Sequence, residues 1–153
     1  MLFRSGVLMG YDQNDPLMGP RLPAFTQALA GLGWIDGRNV RMDFRWAGAD
    51  TNRIRSLAQE LVGLQPDILL ADSTPATVAL QRETRTIPIV FANVADPVAS
   101  GLVARLNQPG GNITGFAAGE ATLASGLNCS RRSRLGSSGP QSCSIPTPLA
   151  YRL

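Results

Sequence analysis

Short apolar runs alternate with longer stretches of helical periodicity from Gly6 to Phe116. "GVLMGY" (Gly6–Tyr11) is nearly continuous in apolar residues, as expected of a strand buried on both faces. In "GPRLPAFTQALAGLGW", Leu22, Phe25, Leu29 and Leu32 fall at helical spacing, and Gly31 and Gly33 mark the helix end. "NVRMDFRW" (Asn39–Trp46) sets Val40, Met42, Phe44 and Trp46 against Arg41, Asp43 and Arg45, which predicts a half-exposed strand near a sheet edge. "DTNRIRSLAQELVGL" opens on the cap candidates Asp50 and Thr51 and places Ile54, Leu57, Ala58 and Leu61 on one helical face. "PDILLAD" (Pro66–Asp72) predicts another buried strand. "STPATVALQRETR" then predicts a helix with Thr74 as its N-cap and Pro75 at its first position. "IPIVFANV" (Ile87–Val94) is β-branched and apolar, hence a strand. "DPVASGLVARL" repeats the capping device with Asp96 and Pro97, and "NITGF" (Asn112–Phe116) predicts a last short strand.

This β-α-β-α-β-α-β-α-β order with short links implies an α/β fold built on a doubly wound parallel sheet. Ligands of such sheets sit at the carboxyl ends of the strands, beside helix N-termini. The relevant loops are "YDQNDP", "ADSTP" and "NVADP". Ser73 and Thr74 would present hydroxyls and backbone N–H groups at a positive helix end, which suits a carboxylate or similar anion. Helix capping alone also explains Thr74 and Asp96. Tyr11, Trp46 and Phe91 are residues that stack on an aromatic ligand or fill a core.

Charge changes the picture only beyond this region. The formal net charge is +3 over 153 residues. Residues 1–126 hold ten Arg and all eleven acidic residues, a net of −1, so the positive charge belongs to Arg131, Arg132, Arg134 and Arg152. Nucleic-acid binding would rest on these four, with no aromatic residues among the first three. The chain has no His and no Lys. The commonest general base and metal ligand, and any Schiff-base lysine, are therefore missing, and no catalytic or metal site is expected. No run of about 18 apolar residues exists, so no membrane insertion is expected. The start "MLFRSGVLMGY" is too short before its first strand for an export signal, which would leave the chain as written cytoplasmic.

Motifs narrow the chemistry further. The first strand–helix turn, "MGYDQNDPLMG", lacks the G-x-G-x-x-G of a dinucleotide site, and a P-loop needs a lysine. Asp72 ends the third strand, where a receiver-like module carries its acid, and Asp12 follows the first strand, but the lysine such a module uses is absent. Ser73 as a nucleophile has no histidine base. A ligand-sensing α/β regulatory domain remains an alternative, although only five residues precede Gly6, too few for a DNA-binding helix pair. Small-molecule binding without a cofactor is what the loops permit.

Five stretches together carry a family likeness: "LGWIDGRNV", "DFRWAGAD", "PDILLADSTPA", "TIPIVFANVADPV" and "LNQPGGNITGF". In this order, over roughly residues 5–120, they strongly resemble the ABC-transporter substrate-binding proteins of the tryptophan and tyrosine type. The resemblance implies a periplasmic-binding-protein fold of two α/β lobes that clamp a small molecule, an amino acid or related compound, for delivery to a membrane permease. Residues 1–126 correspond to the N-terminal lobe. By position, the ligand contacts of that lobe would be Asp12, Gln13, Asn14, Asp15, Ser73, Thr74, Val94 and Asp96. Such proteins are exported to the periplasm and run roughly twice as long, so the chain is expected to be a truncated binding component.

Residues 127–153 depart from this pattern. They hold both cysteines, Cys129 and Cys143, six serines and no acid. A disordered basic arm is one reading. A shift of frame is the stronger one. Leu127–Arg134 can be encoded CTG AAC TGC TCA AGG AGA TCG CGC, which from the third letter reads Glu-Leu-Leu-Lys-Glu-Ile-Ala. Permitted codons through Leu149 continue it as Pro-Gly-Val-Lys-Arg-Ala-Ala-Val-Met-Phe-Asn-Pro-Asp-Thr-Ala. The resembled family carries such a helix, a buried strand and an "FNPD" turn there. Two bases of each shifted codon are set by the next residue, ambiguous only for Ser, Arg and Leu, so the apolar pattern is largely imposed. Resequencing the coding DNA from codon 115 onward should yield a one-base correction that restores "ELLKEIAPGVKRAAVMFNPDTA". An unaltered reading would leave the basic arm.

Overall fold

Five parallel strands in the order β2-β1-β3-β4-β5 form the sheet of the computed structural model, which describes residues 2–16 and 19–118. The strands are β1 (Phe3–Met9), β2 (Val40–Trp46), β3 (Ile68–Asp72), β4 (Ile89–Val94) and β5 (Ile113–Ala117); the helices are α1 (Arg21–Gly31), α2 (Thr51–Gly63) and α3 (Thr74–Glu83). β2 lies at the edge, as its alternation requires. Met9 of β1 stands level with Trp46 of β2 and Asp72 of β3, so three strands reach their carboxyl ends together.

The main core lies on one face of the sheet. Leu8, Leu69, Ala71, Ile89, Phe91 and Ile113 point there and meet Ile54, Ala58 and Leu61 of α2 with Ala76 and Leu80 of α3. All are at most 6 % exposed, and each large side chain contributes roughly 1.5–3 kcal/mol by leaving water. α2 starts where Asp50 accepts hydrogen bonds from the Asn52 and Arg53 amides, at 2.8 and 3.2 Å. The polar residues of β2 share this face beyond the core: Arg45 pairs with Glu60 at 2.7 Å and Asp43 with Arg4 at 3.4 Å.

The opposite face carries α1, and the seat is loose. No residue of α1 is buried, and Leu32, expected on its apolar face, is 77 % exposed beyond the helix end. Two cavities of about 330 and 320 Å³ separate Leu22, Phe25 and Leu29 from Val7, Met9, Leu70 and Val90 of the sheet.

Two expectations are corrected. Ser73, not Thr74, caps α3: its hydroxyl accepts the Ala76 amide at 3.4 Å, and Thr74 is already the first helical residue. The helix expected from Asp96 is a single turn. Asp96 does cap it, accepting the Val98 and Ala99 amides at 3.1 and 2.9 Å, but Gly101 takes φ +69° and the chain turns Leu102 and Val103 into the core. A left-handed glycine four residues after the turn begins is a stop signal stronger than the apolar spacing that follows it. The expected tail, residues 127–153, and the boundary at 126 lie outside the described residues.

Candidate functional site

Three loops converge at the carboxyl ends of β1, β3 and β4. The loop after β2 clasps the first: Ala47, Gly48 and Ala49 donate backbone hydrogen bonds to Met9, Tyr11 and Gly10, at 3.0, 3.1 and 3.1 Å. The Gly10 amide donates to the Asp72 carbonyl at 3.1 Å. A Cβ on Gly10 would stand 2.9 Å from that of Ser73, so only glycine permits this approach. Ser73 itself adopts φ +114° and ψ 155°, a conformation sparsely populated by residues with a side chain.

A second unusual residue aims the site's amide. Asn93 has φ +57°, and the register between β4 and β5 shifts between Phe91 and Val94. The bulge turns the Asn93 side chain toward β1 and β3. Its Nδ2 donates to the Tyr11 hydroxyl at 2.8 Å, and the residue lines the same cavity as Asp72. One NH2 group thus links the ends of β4 and β1.

Asp72 is 8 % exposed and lines the cavity of about 330 Å³ under α1, with Arg21, Asn93, Val7, Met9 and Phe25. Burial raises its pKa above the ordinary 3.8, while the Arg21 charge and the Asn93 hydrogen bond pull it back. Burial also raises the Tyr11 phenol, with the Asp72 charge adding to it and Arg21 opposing.

The residues expected from sequence fall into two groups. Asp12 accepts the Asn14 amide at 2.9 Å, and with exposed Gln13 and Asn14 and half-buried Asp15 it forms a turn beside Tyr11. Ser73 is buried, and Thr74 is half-buried at the start of α3. Val94 points into the core at 0 % exposure and its carbonyl accepts the Ala118 amide at 2.7 Å, leaving no side-chain surface for a ligand. Asp96 is exposed with its carboxylate occupied in capping. Asp72, Arg21 and Asn93 were not expected as a group. Asp72 was legible as a strand-end acid, but the distance in sequence to Arg21 hides that both line one cavity. Among the described residues no cluster of His, Cys, Asp or Glu could hold a metal ion, and no helix is long and apolar enough to cross a membrane.

Comparison with known proteins places this geometry. The family model for the ABC transporter substrate binding protein matches residues 16–124, and the chain belongs to that family. It is 38 % identical over 102 residues to the tyrosine-binding protein of Clostridioides difficile strain R20291, covering 67 % of this chain and 30 % of that protein. A Streptococcus pneumonia ABC domain in complex with L-Trp superimposes with a TM-score of 0.70 at 28 % identity, over 76 % of this chain and 39 % of that one. A ligand-free, open substrate-binding protein with adhesive properties from Clostridium difficile gives 0.70 at 32 % identity, over 80 % and 42 %. The chain therefore spans less than half the length of these relatives. The fold is the periplasmic-binding-protein-like α/β lobe, and the family is a non-enzymatic, substrate-binding class.

The raised pKa of Asp72 has a measurable consequence. Below pH 3.8 its carboxyl is protonated in both folded and unfolded chains and shifts nothing. As pH rises through 3.8 the unfolded chain releases its proton first, so this group lowers stability until the folded carboxyl also ionises. Asp72→Asn should remove that loss, and urea titrations from pH 3.8 to 7 should show the variant gaining stability relative to the parent. Parallel curves would contradict the burial penalty.

Proposed function

We propose that this lobe supplies one wall of a binding site for an aromatic amino acid, at the carboxyl ends of β1, β3 and β4. The observation that carries the reading is the convergence there of Tyr11, Ser73 and Asn93, the last two held in left-handed backbone conformations that the sheet alone does not require. Strain of this kind gathers at ligand sites. The relatives support the ligand class: one is a tyrosine-binding protein, another holds L-Trp.

In this reading Ser73 and Thr74, at the positive end of α3, face the ligand carboxylate, and the turn Asp12–Asp15 with Asp96 forms the rim. Val94 acts through its place in the strand rather than by side-chain contact. Residues 1–126 are the first of two lobes, the remainder being out of frame, and the complete protein closes both walls on the ligand in the periplasm before delivery to an ABC permease. One wall alone excludes little water, so the affinity of this chain is about millimolar, near −4 kcal/mol.

Replacing Thr74 by Ala, and Ser73 with Thr74 by Ala together, removes hydrogen-bonding hydroxyls worth about 0.5–1.5 kcal/mol each. Ligand-observed NMR titration with L-tryptophan should show affinity falling about threefold for the single variant and about tenfold for the double. Unchanged affinity in the double variant would reject the α3 terminus as a contact.

A further inference from the structure

Arg21 and Asp72 face one cavity from opposite sides, one on α1 and the other at the end of β3. The two charges are close enough to feel each other, yet no ion pair within 4.0 Å joins them among the described residues. Asp72 is 8 % exposed, and the neutral amide of Asn93 lines the cavity beside it. A carboxylate accepts several hydrogen bonds, and one neutral amide nearby leaves it with spare capacity inside a largely apolar chamber. The chamber is about 330 Å³, within the size range of small-ligand pockets, and Val7, Met9, Phe25 and Leu70 provide an apolar wall.

We propose that Asp72 and Arg21 are the charge-recognition residues of this lobe. Asp72 takes the ammonium group of an α-amino acid, Arg21 takes its carboxylate, and the aromatic body lies against Phe25 and Met9. The inference rests on the amino-acid reading above and deepens it: Arg21 joins Ser73 and Thr74 on the carboxylate, and Asp72 supplies the counter-charge for the ammonium. A ligand that carries one charge of each sign completes both groups at once, whereas an amine or an acid alone leaves one of them without its counter-charge. The apolar spacing under α1 has the same logic: a helix packed tightly on Val7, Met9 and Leu70 would leave no chamber, and α1 has no buried residue.

The test uses the 153-residue chain with three probes: L-tryptophan, tryptamine, which lacks the carboxylate, and indole-3-propionate, which lacks the ammonium. Affinities come from ligand-observed NMR titrations of the parent, Asp72→Asn and Arg21→Gln, each first shown to unfold cooperatively in urea. Asp72→Asn should weaken L-tryptophan and tryptamine about tenfold and leave indole-3-propionate unchanged. Arg21→Gln should weaken L-tryptophan and indole-3-propionate by a similar factor and spare tryptamine. If L-tryptophan binds the parent and both variants equally, while the Ser73 and Thr74 replacements weaken it, the cavity assignment fails and the loop reading stands. If L-tryptophan does not bind the parent, the amino-acid reading itself fails and takes this assignment with it.

Discussion

The close approach of Gly10 to Ser73 is the contact on which the site depends. β1 and β3 run side by side in register, and at their shared carboxyl end the Gly10 amide bonds to the Asp72 carbonyl at 3.1 Å. That pairing leaves no volume for a side chain at Gly10, because Ser73 occupies it. Ser73 reaches this place only by taking φ +114°, and from there its hydroxyl caps α3. The core beneath, built on Leu8, Leu61, Leu69 and Leu80, keeps the strained residue in position. Local strain of about 1–3 kcal/mol is thus held by many buried contacts, and the strand ends become a fixed platform.

The sheet is unequally covered, and function follows from the inequality. α2 and α3 close one face over side chains that are almost wholly buried. On the other face α1 stands off the sheet, and the polar end of the gap holds a buried carboxylate, an arginine and an amide. A carboxyl group in such a place costs stability unless something completes its solvation. In the proposed reading a bound ligand completes it, so that the destabilising residue is also the recognising one.

Much of the fold was legible from periodicity. The runs at Gly6, Pro66 and Ile87 are strands because continuous apolar residues fit a sheet covered on both sides, and the alternation of Val40–Trp46 marked the edge. Cap chemistry gave the start of α2 at Asp50. It erred by one residue at α3, where a serine in a conformation disfavoured for its type took the role assigned to Thr74. It failed after Asp96, where Gly101 ended the helix that apolar spacing implied. The site was half legible. Loops at strand ends were found from topology, but the bulge that aims Asn93 depends on how β4 meets β5, and the cavity that Arg21 shares with Asp72 depends on how α1 sits. Neither is encoded in local spacing. The family likeness supplied what spacing could not, and the match over residues 16–124 agrees with it.

The most direct test of the account is a map of backbone amide shifts in the chain on titration with L-tryptophan. Shifts confined to Met9–Asp15, Arg21–Phe25, Asp72–Thr74 and Asn93–Asp96, with Leu64–Asp67 at the far end of the sheet unmoved, are the predicted result. Shifts centred on Leu64–Asp67, or spread evenly over the chain, would contradict a ligand site at the carboxyl ends of the strands.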